Sequence, residues 1–554
     1  MANTVKVVVE NTTINVNMGT SLEEIIDMVS PSQKGVYIAC FVNNRMRELN
    51  YKIYHPVSLR YVDTTHFEGI NVYYRTLFFT LDKAIADIFP GKMLRIKHSV
   101  SKGFYCEIQG MDEVSEEDIV DIKNRVDSLI AQNIPIVREK MLSEEMAEIY
   151  SQMGMIDKLE LMQSRPRLYV TVCSLANMKG NFYGALAPST GYLQLYDICK
   201  YHKGIYLAVP KRSDINKLES MVAQDKMFDV FDEYKNWVDI IGVSNIGQLN
   251  KQILEGKRLD LINMAEAFHE KKVARIADKI ATAHAAKSTR VVFVSGPSSS
   301  GKTTFAQQLG VQLSILGFKP ALISLDDYFV DRYKTPIDEN GEYDFEALEA
   351  VDVELFNDHL VALLGGESVD MPTYDFISGK SIKNSKTMCL EDKSILVIEG
   401  IHGLNPKLSE RVKDDFKYKI YVSALTSISL DNLSRISTTD NRLIRRIVRD
   451  NSTRGADALS TLKRWGSVRR GEDKHIFPYQ ENADIMFNSS LFYEISVLRA
   501  FVEPLLHAVP NTCEEHSEAQ RILRFLDNFT PISPEGIPPT SVLREFIGGS
   551  NFKY

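Results

Sequence analysis

Hydrophobic and polar positions alternate over the first sixty residues. Val5, Val7 and Val9 are followed by Ile14 and Val16, with Glu10, Asn11 and Thr12 between them. A period of two interrupted by a turn-compatible triplet predicts two short strands joined tightly. Gly19, Thr20 and Ser21 then introduce Leu22, Ile25 and Ile26 at helical spacing, with an N-cap candidate in place, so residues 1–63 read as a small ββαβ-type domain. From 213 to 288 the chain is charged, poor in glycine and periodic. Ile215, Leu218, Met221 and Val222, then Ile253, Leu259, Leu261, Ile262 and Ala265, recur at helical intervals, which predicts a helical connector. Its last stretch, 268–286, reads as an amphipathic helix on which His269 and His284 are exposed or capping. Between 289 and 510 the pattern changes again. Short apolar runs at 291–295, 321–325, 395–398, 419–422 and 485–487 alternate with helical segments. Runs apolar on both faces and joined by helices predict an α/β domain with a buried parallel sheet covered on both sides. Pro531, Pro534, Pro538 and Pro539 forbid a continuous helix in the final segment, 511–554, which reads as an extended wrap over the surface.

With 554 residues and 44% apolar content, the chain has enough material for three or four cores. A net charge of −8 argues against a surface that coats nucleic acid generally, while leaving a local basic patch open. Met1-Ala2-Asn3-Thr4-Val5-Lys6 has no basic region ahead of an apolar core, and no apolar run of spanning length occurs, so a cytoplasmic location is expected. Six cysteines (Cys40, Cys106, Cys173, Cys199, Cys389, Cys513) are scattered without paired spacing, as expected of free or buried thiols.

The strongest chemical signal is Gly296-Pro297-Ser298-Ser299-Ser300-Gly301-Lys302-Thr303, followed by Thr304, between an apolar strand and a helix. Such a loop turns its backbone N–H groups around a polyphosphate. The helix N-terminus adds partial positive charge, the lysine reaches the β and γ oxygens, and the Thr303 hydroxyl can ligate Mg²⁺. ATP and Mg²⁺ are therefore the expected cofactors. Phosphoryl transfer to an alcohol also needs an acceptor-side carboxylate and cations for the moving charge. Asp326 and Asp327 follow the second apolar run, at the end of the sheet where ligands bind, and Asp326 is the first candidate for the base. Helix capping is the alternative for this pair. Glu399 ends the third run ahead of Gly400, where an acidic residue can hold Mg²⁺. His402 reads as a loop histidine bonded to backbone. Arg442, Arg445, Arg446 and Arg449 share one helix face, opposite Leu443, Ile444, Ile447 and Val448. That face is either paired with acids or a lid over phosphates that orders when ATP binds.

Three resemblances add to this reading. The hairpin, the Gly-Thr-Ser helix start and residues 39–45 make 1–63 similar to the TGS domain, a β-grasp module. Phe89-Pro90-Gly91 and Lys102-Gly103-Phe104-Tyr105-Cys106-Glu107 make 64–212 resemble the editing-type second domain of threonyl-tRNA synthetases. That domain carries a helical H-x-x-x-H, absent from Tyr74-Arg75-Thr76-Leu77-Phe78-Phe79-Thr80-Leu81, and a C-x-x-x-H, for which only Cys199 and His202 offer themselves. Loss of editing chemistry is expected, with Cys199 and His202 structural. Residues 289–510 resemble the uridine kinase and phosphoribulokinase group through the glycine loop, Asp326-Asp327-Tyr328-Phe329, Tyr343-Asp344-Phe345, Pro372-Thr373-Tyr374-Asp375-Phe376, Glu399-Gly400 and the arginine helix. That resemblance implies Asp326 as the base, Asp344 and Arg442 as sugar contacts, Tyr374 as a base contact, and Arg445 and Arg449 as phosphate clamps. Where uridine kinases carry a pyrimidine-reading histidine, this chain has Gly379, which leaves uracil specificity open.

The expected protein is an ATP- and Mg²⁺-dependent nucleoside kinase acting on a 5′-hydroxyl, with an N-terminal module that binds RNA or tRNA or regulates the kinase. The rival is an RNA-binding regulator switched by ATP without small-molecule phosphorylation. Asp326, Asp344 and the lid arginines favour the kinase, because a switch needs no acceptor-side carboxylate.

Overall fold

The computed structural model describes every residue except 1–3, 11, 213, 340, 377 and 554. Asn11 of the first expected turn, Ile377 after the Pro372–Phe376 motif and the first three residues lie outside the described set. The N-terminal sheet has the order β2-β1-β5-β3-β4, from β1 (Thr4–Val9), β2 (Thr12–Asn17), β3 (Ala39–Val42), β4 (Arg45–Arg47) and β5 (Val57–Val62). Helix α1 (Leu22–Val29) begins at a capping box between Ser21 and Glu24, which satisfies two otherwise orphaned donors. Alternation decides the packing. Cys40 and Val42 of β3 join the core of α1, while Ala39 and Phe41 face the long helix α2 (Phe67–Ile88) and the second core. The first two units therefore share buried surface.

The second unit places α2 and α3 (Glu116–Ala131) beside an antiparallel sheet of β6 (Met93–Val100), β7 (Gly103–Gln109), β11 (Asp197–Tyr201) and β12 (Gly204–Ala208). A second sheet contains β8 (Ile136–Leu142), β9 (Tyr169–Leu175) and β10 (Met178–Gly180), with α4 (Ser143–Gln152) and α5 (Ile156–Ser164) between β8 and β9. The expected helical character at Ile215 and Leu218 does not hold. β13 (Pro210–Lys211) and β14 (Asp214–Leu218) form a hairpin, and the first connector helix, α6 (Asp225–Ile240), starts later. A single i, i+3 pair is too short a repeat to fix a helix, and here strand pairing prevails over periodicity. α7 (Ile246–Leu254) and α8 (Arg258–Lys287) complete the connector. His269 is buried inside it, its Nε2 3.1 Å from the Ser490 carbonyl, rather than exposed. His284 Nδ1 lies 2.7 Å from the Thr289 carbonyl at the end of α8.

The C-terminal region is built on five parallel strands in the order β16-β19-β15-β20-β23. They are β15 (Val291–Ser295), β16 (Lys319–Ser324), β19 (Ser394–Glu399), β20 (Lys417–Ser423) and β23 (Ile485–Asn488), with a separate hairpin of β17 (Val369–Asp375) and β18 (Lys380–Met388). Alternate residues divide between the two faces. Val292, Val294, Val397 and Ile420 pack on α8 and on α9 (Lys302–Ile315), while Val291, Phe293, Leu396 and Ile398 pack on α10 (Val353–Leu364). The end of the connector is thus one of the helical covers of this sheet. A small excursion, β21 (Ser429–Asp431) and β22 (Ser434–Arg435), precedes α11 (Thr438–Thr453) and α12 (Ala458–His475). This excursion ties the two halves together. The buried Lys158 ammonium lies 3.1 Å from Asp431, and the Ile96 N–H donates to the Asn432 carbonyl at 2.8 Å.

After α13 (Glu494–His507) and α14 (His516–Leu526), the final segment does run over other elements, but it also inserts. Ile532, Ile537, Val542, Leu543 and Phe546 are buried in the core that contains Leu443, Ile444 and Ile447 of α11, and α15 (Arg544–Ile547) forms a last turn. Among the described residues no helix is long and apolar enough to cross a membrane.

Candidate active site

Parallel register brings the chemistry to one edge of the sheet. Val294 is level with Glu399, and Glu399 with Ser324, so the loops after β15, β19 and β16 leave together at the strands' C-terminal ends. β15 lies between β19 and β20, where the connection order reverses, and such a point is where open α/β sheets bind ligands.

The loop between β15 and α9 has little room for side chains. A Cβ on Gly296 would stand 2.0 Å from the Val422 carbonyl oxygen, and one on Gly301 would stand 2.4 Å from Val542 Cγ2. Gly301 caps α9 without a side-chain hydrogen bond, with φ of 81°. The hydroxyls of Ser299 and Ser300 and the Nε of Arg449 are buried here without a hydrogen-bond partner. Buried polar groups in that state are costly unless a ligand completes them. These orphaned groups, beside an open helix N-terminus, fit a polyphosphate. Lys302 currently donates to the Pro297 carbonyl at 3.1 Å. Burial lowers its pKa, against the pull of Glu399, Asp326 and Glu545.

Asp326 and Asp327 diverge although they are adjacent in a short 3-10 turn (Leu325–Tyr328). Asp326 faces Glu399 and Lys302, and its charge acts on both. Asp327 instead turns to the backbone of Tyr374, and burial raises its pKa. Burial, followed by the Asp326 charge, pushes Glu399 up to about 7, with Lys302 and the Ser324 hydroxyl opposing. Ser324 Oγ donates to Glu399 Oε1 at 2.8 Å. The Glu399 carboxylate beside the Asp326 charge, with Thr303 on the first turn of α9, fits a magnesium ion that takes its other ligands from phosphate and water. Among the described residues no group of three or more His, Cys, Asp or Glu could hold a metal by itself.

The arginine helix α11 divides its face. Arg442 and Arg445 are fully buried behind the loop: Arg442 Nε donates to the Ser298 carbonyl at 2.8 Å and Arg445 Nη1 to the Ser299 carbonyl at 3.4 Å. The Ser489 hydroxyl takes the next carbonyl, that of Ser300. Three successive carbonyls are thereby held from outside, which leaves the inner side of the loop to N–H groups. The Ser298 N–H donates to Glu472 Oε1 at 3.0 Å. Each buried guanidinium has its own carboxylate, Glu472 for Arg442 and Glu494 for Arg445. One turn on, Arg446 Nη1 donates to Ser298 Oγ at 2.9 Å, and Arg446 and Arg449 share Asp450. Arg449 and Arg454 feel the charges of Lys302 and Asp326 respectively. The cations nearest the site are therefore Arg449, Arg446 and Arg454, while Arg442 and Arg445 meet loop carbonyls and acids.

At the β17–β18 hairpin, Tyr374 is buried in an aromatic group with Phe329 and Phe376, at ring distances of 5.5 and 5.1 Å. Asp344 accepts from the Glu346 N–H at 3.2 Å and lies 3.4 Å from His475 Nε2. Gly379 has φ of +70°, and a Cβ there would stand 2.7 Å from Arg332 Nε. Hairpin geometry and Arg332 therefore both exclude a side chain at that position. His402 Nε2 lies 3.2 Å from the Ala347 carbonyl, the backbone contact its loop position suggested. Cys199 is exposed on β11, and His202 stacks on Phe228 at 3.9 Å, outside this site.

Sequence reasoning did not find Glu472, Glu494, Ser489 or Glu545. The Thr304 hydroxyl donates to Glu545 Oε2 at 2.7 Å. Only Ser489 left a local signal, as a polar residue directly after the apolar strand β23.

Residues 291–495 match the model of the Phosphoribulokinase / Uridine kinase family. The uridine kinase of Staphylococcus aureus (strain JH9) is 30% identical over 201 residues, which is 36% of this chain and 87% of that protein. Among solved structures, a "Possible Uridine Kinase" from Bacillus stearothermophilus is 22% identical over 36% of this chain and 89% of its own, with a TM-score of 0.25. D-glycerate 3-kinase from Cryptococcus neoformans var. grubii is 14% identical over 48% and 89%, with a TM-score of 0.23.

Proposed function

The chain belongs to the Phosphoribulokinase / Uridine kinase family through residues 291–495, and on that premise we propose that it transfers the γ-phosphoryl group of ATP to the 5′-hydroxyl of a nucleoside. The observation that carries this reading is the level register of β15, β19 and β16, which gathers Lys302, Glu399 and Asp326 at one edge. The loop N–H groups and Lys302 bind and orient the triphosphate, and the orphaned Ser299 and Ser300 hydroxyls become its donors. Mg²⁺, held by Thr303 and Glu399, would neutralise charge on the phosphates. Asp326 takes the proton from the acceptor hydroxyl. Arg449, with Arg446 and Arg454, balances charge on the transferring group. Arg442 and Arg445 act one step back, fixing the loop that does the binding.

Tyr374 and Asp344 are assigned to the nucleoside, as base and sugar contacts. Gly379 carries no reading side chain, so the pyrimidine-like acceptor stands as a class rather than a named compound. The N-terminal TGS-like and editing-type units are assigned an RNA-binding or regulatory role. The test is ADP release from Mg²⁺-ATP against a nucleoside panel, with Asp326→Asn as the blank. Acceptor-dependent turnover lost in that variant is expected. ATP binding with turnover at background for every acceptor would overturn the kinase reading in favour of an ATP-switched RNA-binding regulator.

A further inference from the structure

A cavity of about 860 Å³ opens between the N-terminal units and α14, and no residue of the phosphate loop lines it. Its walls include Arg47 from β4, Arg138 from β8 and Arg524 from α14, with Tyr51, Tyr169 and Phe182 between them. Its volume is that of a ligand site rather than a packing fault. The cations in it are short of anions. Among the described residues, Arg47 and Arg524 have no carboxylate within ion-pair distance. Arg47 lies 5.0 Å over the Tyr51 ring, and Arg524 Nε donates only to the Gln520 carbonyl. Arg138 does pair with Glu48 at 2.9 Å, but its buried Nε has no hydrogen-bond partner. Arg75 stands behind them, bonded to the Ala185 carbonyl at 2.9 Å. Of the acids on the wall, Asp527 is already shared by Arg165, Arg167 and Arg499. Arg524 is exposed at the cleft; desolvation is the largest cause of its lowered pKa, followed by the Arg47 charge, while Glu68 opposes and Arg521 and Arg138 add to the shift.

A fold gathers like charges in this way at a cost, and an anionic ligand removes that cost. The rest of the wall narrows the class of anion. Tyr51 is 41% exposed and Tyr169 is 55% exposed, so flat aromatic faces stand beside the guanidinium forks. Planar forks match phosphate oxygens, and exposed rings stack on bases.

We propose that this cleft binds a phosphate-bearing nucleotide unit, with its phosphate on Arg47, Arg138 and Arg524 and its base against Tyr51 and Tyr169. The unit is supplied either as a free mononucleotide or as the end of a single RNA strand. The proposal gives the RNA-binding reading of the N-terminal units a specific place, and it is independent of whether the C-terminal region turns over a nucleoside.

The test uses the full chain with a saturating non-hydrolysable Mg²⁺-ATP analogue, so that the phosphate loop is occupied. Binding of a fluorescent, 5′-phosphorylated single-stranded RNA oligomer is followed by anisotropy, and unlabelled UMP and AMP serve as competitors. The Arg47→Ala/Arg524→Ala variant is expected to bind the oligomer at least about tenfold more weakly, with a salt-dependence slope smaller by about one to two. Tyr169→Ala is expected to weaken binding without changing that slope. Melting curves show whether each variant folds, and Arg47→Lys/Arg524→Lys should restore part of the affinity. Competition by mononucleotides at the oligomer's own affinity assigns the site to free nucleotide, and failure to compete assigns it to the strand end. Wild-type protein that binds neither probe at low salt, or a folded double-alanine variant with unchanged affinity, overturns the proposal. Acceptor-dependent ADP release measured on the same variants is expected to be unchanged, so the failure of one reading does not carry the other with it.

Discussion

Two sets of arginines stand on α11 and around the cleft beside α14, and they differ in what already faces them. In the α11 set, Arg445 is 0% exposed and Glu494 1%, and the guanidinium also reaches Ser489 and the Ser299 carbonyl. In the cleft set, Arg47 and Arg524 meet a ring and a carbonyl but no acid. A buried guanidinium with its own carboxylate is scaffold, because removing either partner strands a charge. Arg524 is exposed and Arg47 half-buried, so water can stand where no carboxylate does, and both are open to a ligand. Spacing along a helix, which both readings share, cannot tell them apart.

The comparison can be broken in stages. Lys302→Ala has the largest expected effect, at least a thousandfold loss of turnover with the melting temperature retained, since among the described residues the Lys302 ammonium donates only to the Pro297 carbonyl. A folded variant with substantial turnover would remove the lysine from the mechanism. Next comes Glu494→Ala, which leaves Arg445 buried and unpaired and should destabilise the protein by about 3–5 kcal/mol in denaturant titrations. Arg524→Ala under the same titration should stay within about 0.5 kcal/mol. Equal losses would erase the distinction between the two sets. Arg449→Ala is expected to lower kcat about tenfold without lowering the melting temperature, the reverse of Glu494→Ala.

The smallest effect concerns pH. His98 is buried, stacked 4.2 Å from Phe231, and pushed down to about 3 by burial first and then by Lys97, Arg435 and His202. The unfolded chain takes up a proton near the ordinary histidine value while the folded chain does not. The stability linked to this group is therefore full above about 6.5 and is lost as pH falls toward 3. His98→Phe keeps the ring and removes the titration, so its melting temperature should fall less than that of the wild type between pH 6.5 and 4. Parallel curves would show that His98 is not a source of acid lability.

The sequence was most legible where the signal is local. The glycine loop lies between a five-residue apolar strand and a helix, Glu399 ends an apolar run, and the start of α1 announces its own capping box. Long-range partnership was not legible. Glu472 and Glu494 lie 30 and 49 residues from the arginines they neutralise, so nothing in the 442–449 spacing reveals them. His269 reads as a surface residue of a charged helix and is buried because that helix covers the parallel sheet. The prolines of the last segment excluded a long helix, as expected, but gave no sign that Val542 would rest against the space at Gly301.

The order in which the chain assembles follows from how its phosphate loop is held. Ser298 is fixed by partners 144 and 174 positions away, Ser300 by one 189 away, and Thr304 by one 241 away. Contacts that close such long stretches form after local ones, because the entropy of closure must be met before they contribute. The helix after the loop can form early, but the strand before it, which pairs at Val291 with Leu396 and Lys417, and the loop itself take their shape late. In refolding, affinity for nucleotide should therefore be recovered after secondary structure, with α11 and the Glu545 turn setting the pace.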